Sequence, residues 1–191
     1  MTPNARDTFC SHCGARHENV ASYPRTCPSC KVSVWANPIP VSVVLLPVHH
    51  GGRAGVMVIR RAIQPGSGKL ALVGGFLEDH ETWAEGGARE LREETGVTVD
   101  PATLAPFWFT STEPRPNRVL LFSLAPPLQA TELGPFTPDH ETAERGLVFG
   151  PKGLEDVFAF PLHIRAVTRF FGSERFFGKG GATGPHDFTP V

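Results

Sequence analysis

Residues 75–97 have the sequence GFLEDHETWAEGGARELREETGV and carry the strongest periodic pattern in the chain. From Glu81 onward, small and apolar residues recur with the helical period, which predicts an α-helix over residues 81–95. On an ideal helix these residues share one side, which we expect to pack against a core: Ala84, Ala88, Leu91 and Thr95.

A second side of this predicted helix carries Glu90, Glu93 and Glu94 at the spacing i, i+3, i+4. Like charges at this spacing repel one another, so the cluster destabilises an isolated helix. A divalent cation among the carboxylates removes the repulsion, and Mg²⁺ and Mn²⁺ prefer such oxygen ligands. The charge pattern alone is compatible with a metal site and with a solvated acidic surface, and it does not decide between them.

Gly86 and Gly87 lie about one turn before Glu90 on this helix. Each glycine costs a helix about 1 kcal/mol relative to alanine. Either the missing side chains let a loop, a metal-bound water or a substrate approach the helix, or the glycines are simply tolerated.

The cysteines form two pairs, Cys10-x2-Cys13 and Cys27-x2-Cys30, and none is left over. Two such pairs separated by a short polar stretch are typical of a tetrahedral thiolate site for Zn²⁺. Four sulfur ligands leave no position open for water, so this metal is expected to be structural. Two disulfides are the alternative, although no feature of the sequence indicates secretion.

The chain divides into three predicted segments. Residues 1–36 are polar and rich in cysteine, and metal binding is expected to fold them as a zinc ribbon. Residues 37–177 mix apolar, β-branched runs with helical patterns, which predicts an α/β domain with a mixed sheet. The Gly-rich, polar residues 178–191 are predicted to form a flexible tail.

The expected strands of the middle segment are separated by turn-forming residues. Strands are predicted at 39–48, 55–62, 70–76, 103–112, 117–125 and 145–150, and a second helix at 160–171. A proline-rich loop over residues 126–141 leads to the last strand.

Composition narrows the classes of function. The chain has 191 residues, 40% of them hydrophobic, and a formal net charge of −1, which argues against a broad nucleic-acid-binding surface. No stretch approaches the roughly 18 apolar residues of a membrane helix, and the first residues lack the apolar run of a signal peptide. A cytosolic protein with a small-molecule ligand is therefore expected.

The spacing Gly75-x5-Glu81-x7-Arg89-Glu90-Leu91-x-Glu93-Glu94-x-Gly96-Val97 resembles the complete signature of the Nudix hydrolase family, the Nudix box. The similarity extends outward to the cysteine pairs, to Asn37-Pro38 and to RRAIQP at residues 60–65. This combination resembles the zinc-ribbon branch of the family, which contains NADH pyrophosphatases and plant-type FAD and ADP-ribose pyrophosphatases. The resemblance implies a Nudix-type α/β/α sandwich with a small N-terminal zinc ribbon.

The resemblance also implies roles for the residues of the box. The catalytic Mg²⁺ or Mn²⁺ would be bound by the Gly75 carbonyl and by Glu90, Glu93 and Glu94. Arg89 would hold the glutamates through ion pairs and would not touch the substrate. Three further positions would support the box: Gly74, Glu81 and Gly96.

The sequence departs from the family pattern in three places. His80 stands where relatives commonly have glycine, and Val73 where they have proline or alanine. STEPRPNR at residues 111–118 replaces the SQPWPFPxS element of NADH pyrophosphatases. The resemblance therefore does not select NADH over FAD or ADP-ribose as the substrate.

The implied activity is hydrolysis of the diphosphate bond in a nucleoside diphosphate derivative of the ADP-ribose, NADH or FAD type. A metal-activated water displaces one phosphate, which gives a nucleoside monophosphate and a second phosphorylated product. The base stays open between a glutamate of the box and a loop carboxylate, Glu141 or Glu144. The alternative function is a non-catalytic Nudix-fold sensor of such nucleotides, but no box glutamate is lost.

Three residues outside the box are candidates for substrate binding. Trp108 could stack on a base, and Arg115 and Arg118 could grip a phosphate. The alternatives are a core position for the tryptophan and solvated surface positions for the arginines. The sequence does not determine the oligomeric state, and a homodimer remains open.

Overall fold

The computed structural model describes residues 8–20, 22–113 and 117–191. The chain divides into two compact units, residues 1–38 and 39–191, close to the boundary predicted after residue 36. Arg115 lies outside the described residues. Within those residues, no helix is long and apolar enough to cross a membrane.

The first unit is built around its cysteine pairs. β1 (Arg25–Thr26) and β2 (Ser33–Val34) form a two-stranded antiparallel sheet on either side of the second pair. Among the described residues of this unit, Cys10 and Cys27 are the buried apolar ones. So small a core agrees with the expectation that metal binding supplies the free energy of folding.

The second unit combines ten strands and four helices within the described residues. The strands are β3 (Ile39–Leu45), β4 (Pro47–His50), β5 (Arg53–Arg61), β6 (Leu70–Ala71), β7 (Val73–Phe76), β8 (Ala105–Ser111), β9 (Arg118–Leu124), β10 (Leu128–Gln129), β11 (Thr142–Val148) and β12 (Thr189–Pro190). The helices are α1 (Trp83–Thr95), α2 (Leu154–Val157), α3 (Pro161–Phe171) and α4 (Glu174–Phe177).

These strands form two sheets. The six-stranded sheet has the order β10-β4-β5-β11-β12, with β6 paired to β5, and the four-stranded sheet has the order β7-β3-β9-β8. β3 runs parallel to β9 and β10 to β4, whereas the other pairs are antiparallel. The predicted mixed α/β fold is confirmed, with the sheet divided in two.

Helices cover the four-stranded sheet on both faces. Val43 and Val44 follow one another on β3 and therefore point to opposite faces. Val44 packs in a cluster with Ala88 and Leu91 of α1, whereas Val43 packs in a cluster with Val167 of α3. This layering matches the sandwich that the resemblance implied, and the burial of apolar surface on both faces stabilises it.

Two apolar runs, each predicted as one strand, pass from one sheet to the other. The run at 39–48 continues from β3 into β4 after Leu46, and the run at 70–76 breaks at Leu72 between β6 and β7. At the second break the Leu72 N–H donates to Nδ1 of the buried His163 (3.1 Å). An apolar pattern cannot reveal such a change of sheet, because the residues that directly flank each break are buried.

The segment predicted as a flexible tail has defined neighbours in the structure. β12 pairs with β11. The Phe188 ring packs over Gly146 so closely that a Cβ at that position would lie 2.3 Å from the ring. Asp187 pairs with Arg53 at 3.0 Å. The prediction rested on composition and is corrected here: β11 would otherwise leave a sheet edge unpaired, and an edge can recruit a strand from any part of the chain.

Candidate active site

The helix that carries the glutamates has defined caps at both ends. Its N-cap is Thr82, whose hydroxyl accepts from the Glu85 N–H (3.3 Å) while the Glu85 carboxylate accepts from the Thr82 N–H (2.8 Å). At the other end, Gly96 adopts the left-handed conformation (φ 74°) and its N–H donates to Arg92 O. The helix therefore begins at Trp83, two positions after the predicted start at Glu81, because the capping box fixes the first turn.

The helical glycines make close contacts. A Cβ at Gly86 would lie 2.4 Å from the Leu77 side chain, in the loop that precedes the helix. A Cβ at Gly87 would lie 2.9 Å from the Ser42 hydroxyl on β3. The interpretation that missing side chains let a loop approach the helix is confirmed for Gly86, whereas Gly87 brings the helix close to the sheet.

Glu90 and Glu94 lie against the end of β7. A Cβ at Gly75 would be 2.3 Å from Glu90 Oε1, so a larger residue there would displace the carboxylate. The Gly74 N–H donates to Glu94 Oε2 (2.9 Å). The missing side chain of Gly75 thus allows the strand backbone to approach Glu90, and the backbone of Gly74 binds Glu94.

Arg89 joins the loop before the helix to the helix carboxylates. Its Nε and Nη2 donate to Glu81 (3.0 and 2.8 Å), and Nη2 also donates to Phe76 O (3.0 Å). Its Nη1 donates to Glu90 (2.8 Å) and Glu93 (3.1 Å). The guanidinium lowers the pKa of Glu81 to about 2. Arg89 and Glu81 are 21% and 7% exposed at their side chains, so they are not ordinary surface charges.

Glu94 is buried, although the helical pattern placed it on a different side from the residues that face the core. It is 7% exposed, and burial raises the pKa of its carboxyl to about 8. The nearby carboxylates of Glu90 and Glu141 add to this rise. Burial also raises the pKa of Glu90, although Arg89 opposes the effect. Because a buried charge without a partner is costly, a cation at this position would favour the ionised form of Glu94.

The helix glutamates are engaged by two different groups of the protein in this structure. Glu90 and Glu93 contact Arg89, whereas Glu94 contacts Gly74. Across the described part of the chain, the cysteines form the one group of three or more ligands whose donor atoms lie within 4.8 Å of one another. The donor set still fits a hard divalent cation, because it offers only oxygen ligands around a glycine backbone.

The structure separates the two loop carboxylates considered as the base. Glu144 lies on β11 and pairs with Arg60 at 2.8 Å, so its charge is compensated. Glu141 precedes β11, and its charge contributes to the raised pKa of both Glu90 and Glu94. Glu141 therefore lies near enough to influence the helix carboxylates, and its own carboxylate lies 3.4 Å from His140 Nε2. Glu144 belongs to a separate ion pair with Arg60.

The Trp108 ring is already engaged by other side chains. It stacks on Phe122 with 5.1 Å between ring centroids. The guanidinium groups of Arg165 and Arg169 lie over it at 5.2 and 4.7 Å. These contacts favour the core position for Trp108 over the substrate-stacking position.

An exposed aromatic ring next to the box escaped the sequence analysis. Phe76 directly follows Gly75, is 52% exposed, and has the Arg118 guanidinium 5.6 Å from its ring centroid. The available signal was its place at the end of an apolar strand, beside a glycine of the box. Arg118 thus lies close to the carboxylate helix through Phe76.

Two sulfur separations in the cysteine site match those of a tetrahedral metal centre. The Sγ atoms of Cys10 and Cys30 are 3.8 Å apart and those of Cys13 and Cys27 are 3.6 Å apart. Sulfurs bound to zinc at about 2.3 Å in a tetrahedron are about 3.8 Å apart. A disulfide needs about 2.05 Å, so the free thiols contradict the disulfide alternative. Donation from the Cys30 N–H lowers the pKa of Cys27 to about 6, which favours the thiolate that binds a metal.

Several solved structures of known proteins have a similar fold. The structure is similar to a NUDIX hydrolase from Nitrosomonas europaea, with 23% identity, a TM-score of 0.66, and coverage of 93% of this chain and 96% of that chain. It is also similar to the NUDIX domain of Shewanella oneidensis NrtR complexed with ADP-ribose (16% identity, TM-score 0.58, 71% and 88% coverage). A third similar structure is a C. elegans Ap4A hydrolase (12% identity, TM-score 0.55, 69% and 94% coverage).

At identities this low, the structural similarity shows only that the fold is shared. The family assignment comes from the sequence itself, because residues 38–161, more than half of the chain, match the NUDIX domain. The chain therefore belongs to the NUDIX domain family.

Proposed function

We propose that this protein is a Mg²⁺- or Mn²⁺-dependent pyrophosphohydrolase that cleaves the diphosphate bond of a nucleoside diphosphate derivative. The products are a nucleoside monophosphate and a second phosphorylated fragment. The observation that carries the proposal is the packing of Glu90 and Glu94 against the glycine backbone at the end of β7. Buried carboxylates of this kind suit a hard cation, and that cation suits phosphate oxygens.

The proposed metal ligands are the Gly75 carbonyl and the carboxylates of Glu90, Glu93 and Glu94. When bound, the metal neutralises charge on the diphosphate oxygens and lowers the pKa of a water molecule. Arg89 acts through the ligands, because its donors already bond to Glu81, Glu90, Glu93 and Phe76 O.

Glu141 accepts the proton of the attacking water in this proposal. Its side chain is 51% exposed, so solvent and substrate reach it. Its charge acts on Glu90 and Glu94, as expected of a carboxylate beside the metal ligands. Glu144 is less suited to the role because Arg60 engages its carboxylate.

The proposed substrates are ADP-ribose, NADH or FAD. The similar NUDIX domain of S. oneidensis NrtR was solved in complex with ADP-ribose, which supports this class. On this chain, Phe76 offers an exposed ring beside Gly75, and Arg118 adds a cation at its edge. A planar base joined to a phosphate suits this combination. Arg118 is therefore proposed as a substrate-binding residue and Trp108 is not.

The first unit is proposed to belong to the zinc-ribbon branch of the family, with one structural Zn²⁺ on its four cysteines. The sulfur separations of 3.6 and 3.8 Å support zinc in preference to a larger or harder ion. A closed site of four thiolates has no position for substrate, so catalysis is assigned to the second unit alone.

A substrate screen tests the proposed function. The purified 191-residue chain is incubated with Mg²⁺ or Mn²⁺ and, in turn, ADP-ribose, NADH, FAD, a diadenosine polyphosphate and a nucleoside triphosphate. Chromatography should show AMP from the first three, and none after the divalent metal is chelated. Binding of ADP-ribose without release of AMP would instead support the non-catalytic sensor. Turnover of triphosphates alone would exclude the proposed substrate class.

A further inference from the structure

A buried arginine outside the box joins three segments around the proposed active site. Arg145 on β11 is 3% exposed. Its guanidinium donates to three backbone oxygens, those of Thr95 (2.6 Å), Gly134 (2.8 Å) and Val191 (3.1 Å). One rigid, planar group thus fixes three points of the backbone that are far apart in sequence.

The first of these points is the end of the glutamate helix. Thr95 is the last residue of α1 and directly follows Glu94. The last carbonyls of a helix lack an intrahelical partner and carry partial negative charge, so a guanidinium stabilises this end. Arg145 therefore holds the turn of the helix from which Glu94 projects.

The second point is the loop that leads to the proposed base. Gly134 belongs to residues 133–141, which end at Glu141 immediately before β11. A Cβ at Gly96 would lie 3.8 Å from Pro135 O, so this loop also lies beside the end of the helix. The Phe136 ring covers the guanidinium at 5.4 Å. Arg145 is thus shared by the helix end and the loop.

The third point is the C-terminal strap, residues 184–191. The Val191 N–H donates to Arg145 O (3.2 Å) while Val191 O accepts from Arg145 Nε, so the strap is bonded to this residue in both directions. Val191, Phe136 and Arg145 also line one groove of about 690 Å³. The strap and the loop are therefore the walls of one groove, and Arg145 connects them.

We propose that Arg145 is a positioning residue for the active site. It holds the helix end beside Glu94 and the loop that leads to Glu141 in a fixed relation, and the strap is the third support. The inference rests on the proposed function, which assigns Glu94 and Glu141 their roles. A lysine cannot replace this arginine, because a single ammonium group does not present donors to three separated oxygens in one plane.

The test compares Arg145→Lys with Arg53→Gln in the 191-residue chain. Arg53 is a matched control, because its side-chain contacts among the described residues are with Asp187 of the strap and with the Phe149 ring, and they include neither the helix end nor the loop. Well below its melting temperature, Arg145→Lys should bind Mn²⁺ about tenfold more weakly, measured by electron paramagnetic resonance. Its kcat should fall by about 10- to 100-fold with KM for ADP-ribose almost unchanged, because displaced catalytic groups cost turnover. Arg53→Gln should leave all three values at the wild-type level.

A second variant keeps the test decisive if Arg145→Lys does not fold. A chain that ends at Pro190 loses one support, and amide hydrogen exchange over residues 133–141 should become faster. Unchanged exchange there overturns the proposal, as does an Arg145→Lys protein that melts earlier but keeps wild-type Mn²⁺ affinity and kcat. If the wild-type chain hydrolyses none of the nucleotides, Mn²⁺ affinity and hydrogen exchange still decide whether Arg145 positions these segments.

Discussion

The two proposed metal sites of this chain are built in opposite ways. The cysteine sulfurs of the first unit lie within 4.8 Å of one another. The glutamates of the second unit are engaged by two different groups of the protein, with Glu90 and Glu93 on Arg89 and Glu94 on Gly74. A closed site suits an ion that stays with the protein, whereas hard oxygen ligands suit an ion that shares its coordination with water and substrate.

The two sites also differ in the protonation of their ligand atoms. Cys27 has a lowered pKa, so its ligand atom is prepared for a metal, whereas burial raises the pKa of Glu94 to about 8. At the thiolate site, Cys27 is thus favoured as a thiolate before the metal binds, whereas burial and the neighbouring thiols raise the pKa of Cys30 to about 12. The carboxylate site gains its charged form together with the ion. Four predictions test this contrast, ordered by their expected effect on turnover.

The largest effect is expected from Glu94→Gln. With Mg²⁺ present, kcat should fall by about a thousandfold, because a ligand to the charge-stabilising ion is lost. Without metal, the same variant should melt at a higher temperature than the wild type, because a costly buried carboxyl is replaced by an amide. Metal-titrated kinetics and thermal melts measure both effects. Glu155→Gln, at an exposed position of α2, serves as the control. A fully active Glu94→Gln protein would falsify the assignment of this site.

The next effect distinguishes Glu141 from Glu144. Glu141→Gln should lower kcat by about a hundredfold, which is typical of the loss of a general base. Glu144→Gln should change kcat by less than about threefold, because it removes only a partly exposed ion pair with Arg60. Equal losses in both variants would show that neither carboxylate has a special role in proton transfer.

A smaller, graded effect is expected from pH. Because the metal-free Glu94 carboxyl has a pKa of about 8, the ion must displace a proton below that pH. The affinity for Mn²⁺ should therefore fall by about tenfold for each pH unit below 8 and level off above it. Titrations between pH 6 and 9 measure this slope, and Glu94→Gln should abolish it. An affinity that stays constant over this range would mean that Glu94 is already ionised without metal.

The smallest effect on turnover is expected from Cys10→Ser. The wild-type chain should carry one zinc, and the variant should lose it along with the folded first unit. The kcat of the second unit should change by less than about twofold, because a closed thiolate site has no place for substrate. Elemental analysis, circular dichroism and kinetics check the three parts. Zinc-free protein with all four thiols intact would contradict the assignment.

Local sequence patterns were sufficient for the helix and for the cysteine site. The glutamate helix is defined by its apolar period, by Thr82 and Glu85 at its start, and by Gly96 at its end. None of these signals needs a distant contact. The same holds for a C-x2-C pair, whose short spacing brings both sulfurs toward one ion.

Features that depend on residues distant in sequence could not be predicted from local patterns. Glu144 pairs with Arg60 across 84 positions, and Gly74 bonds Glu94 across 20, so no local window contains either contact. The strap was missed for the same reason, since Phe188 finds its partner at Gly146 on a neighbouring strand. The resemblance supplied the identity of the box residues, but their burial could be learned only from the packed structure.

The change of sheet at Leu72 depends on a buried histidine and therefore makes the stability of the fold depend on pH. Burial lowers the pKa of His163 to about 3, so the ring stays neutral and its Nδ1 continues to accept from Leu72. In the unfolded chain the same imidazole gains a proton below about pH 6.5. Between these two values the unfolded state binds more protons than the folded state, so the free energy of unfolding falls as the pH falls. The point at which one apolar run crosses between two sheets is thus also the point at which acidification weakens the interior.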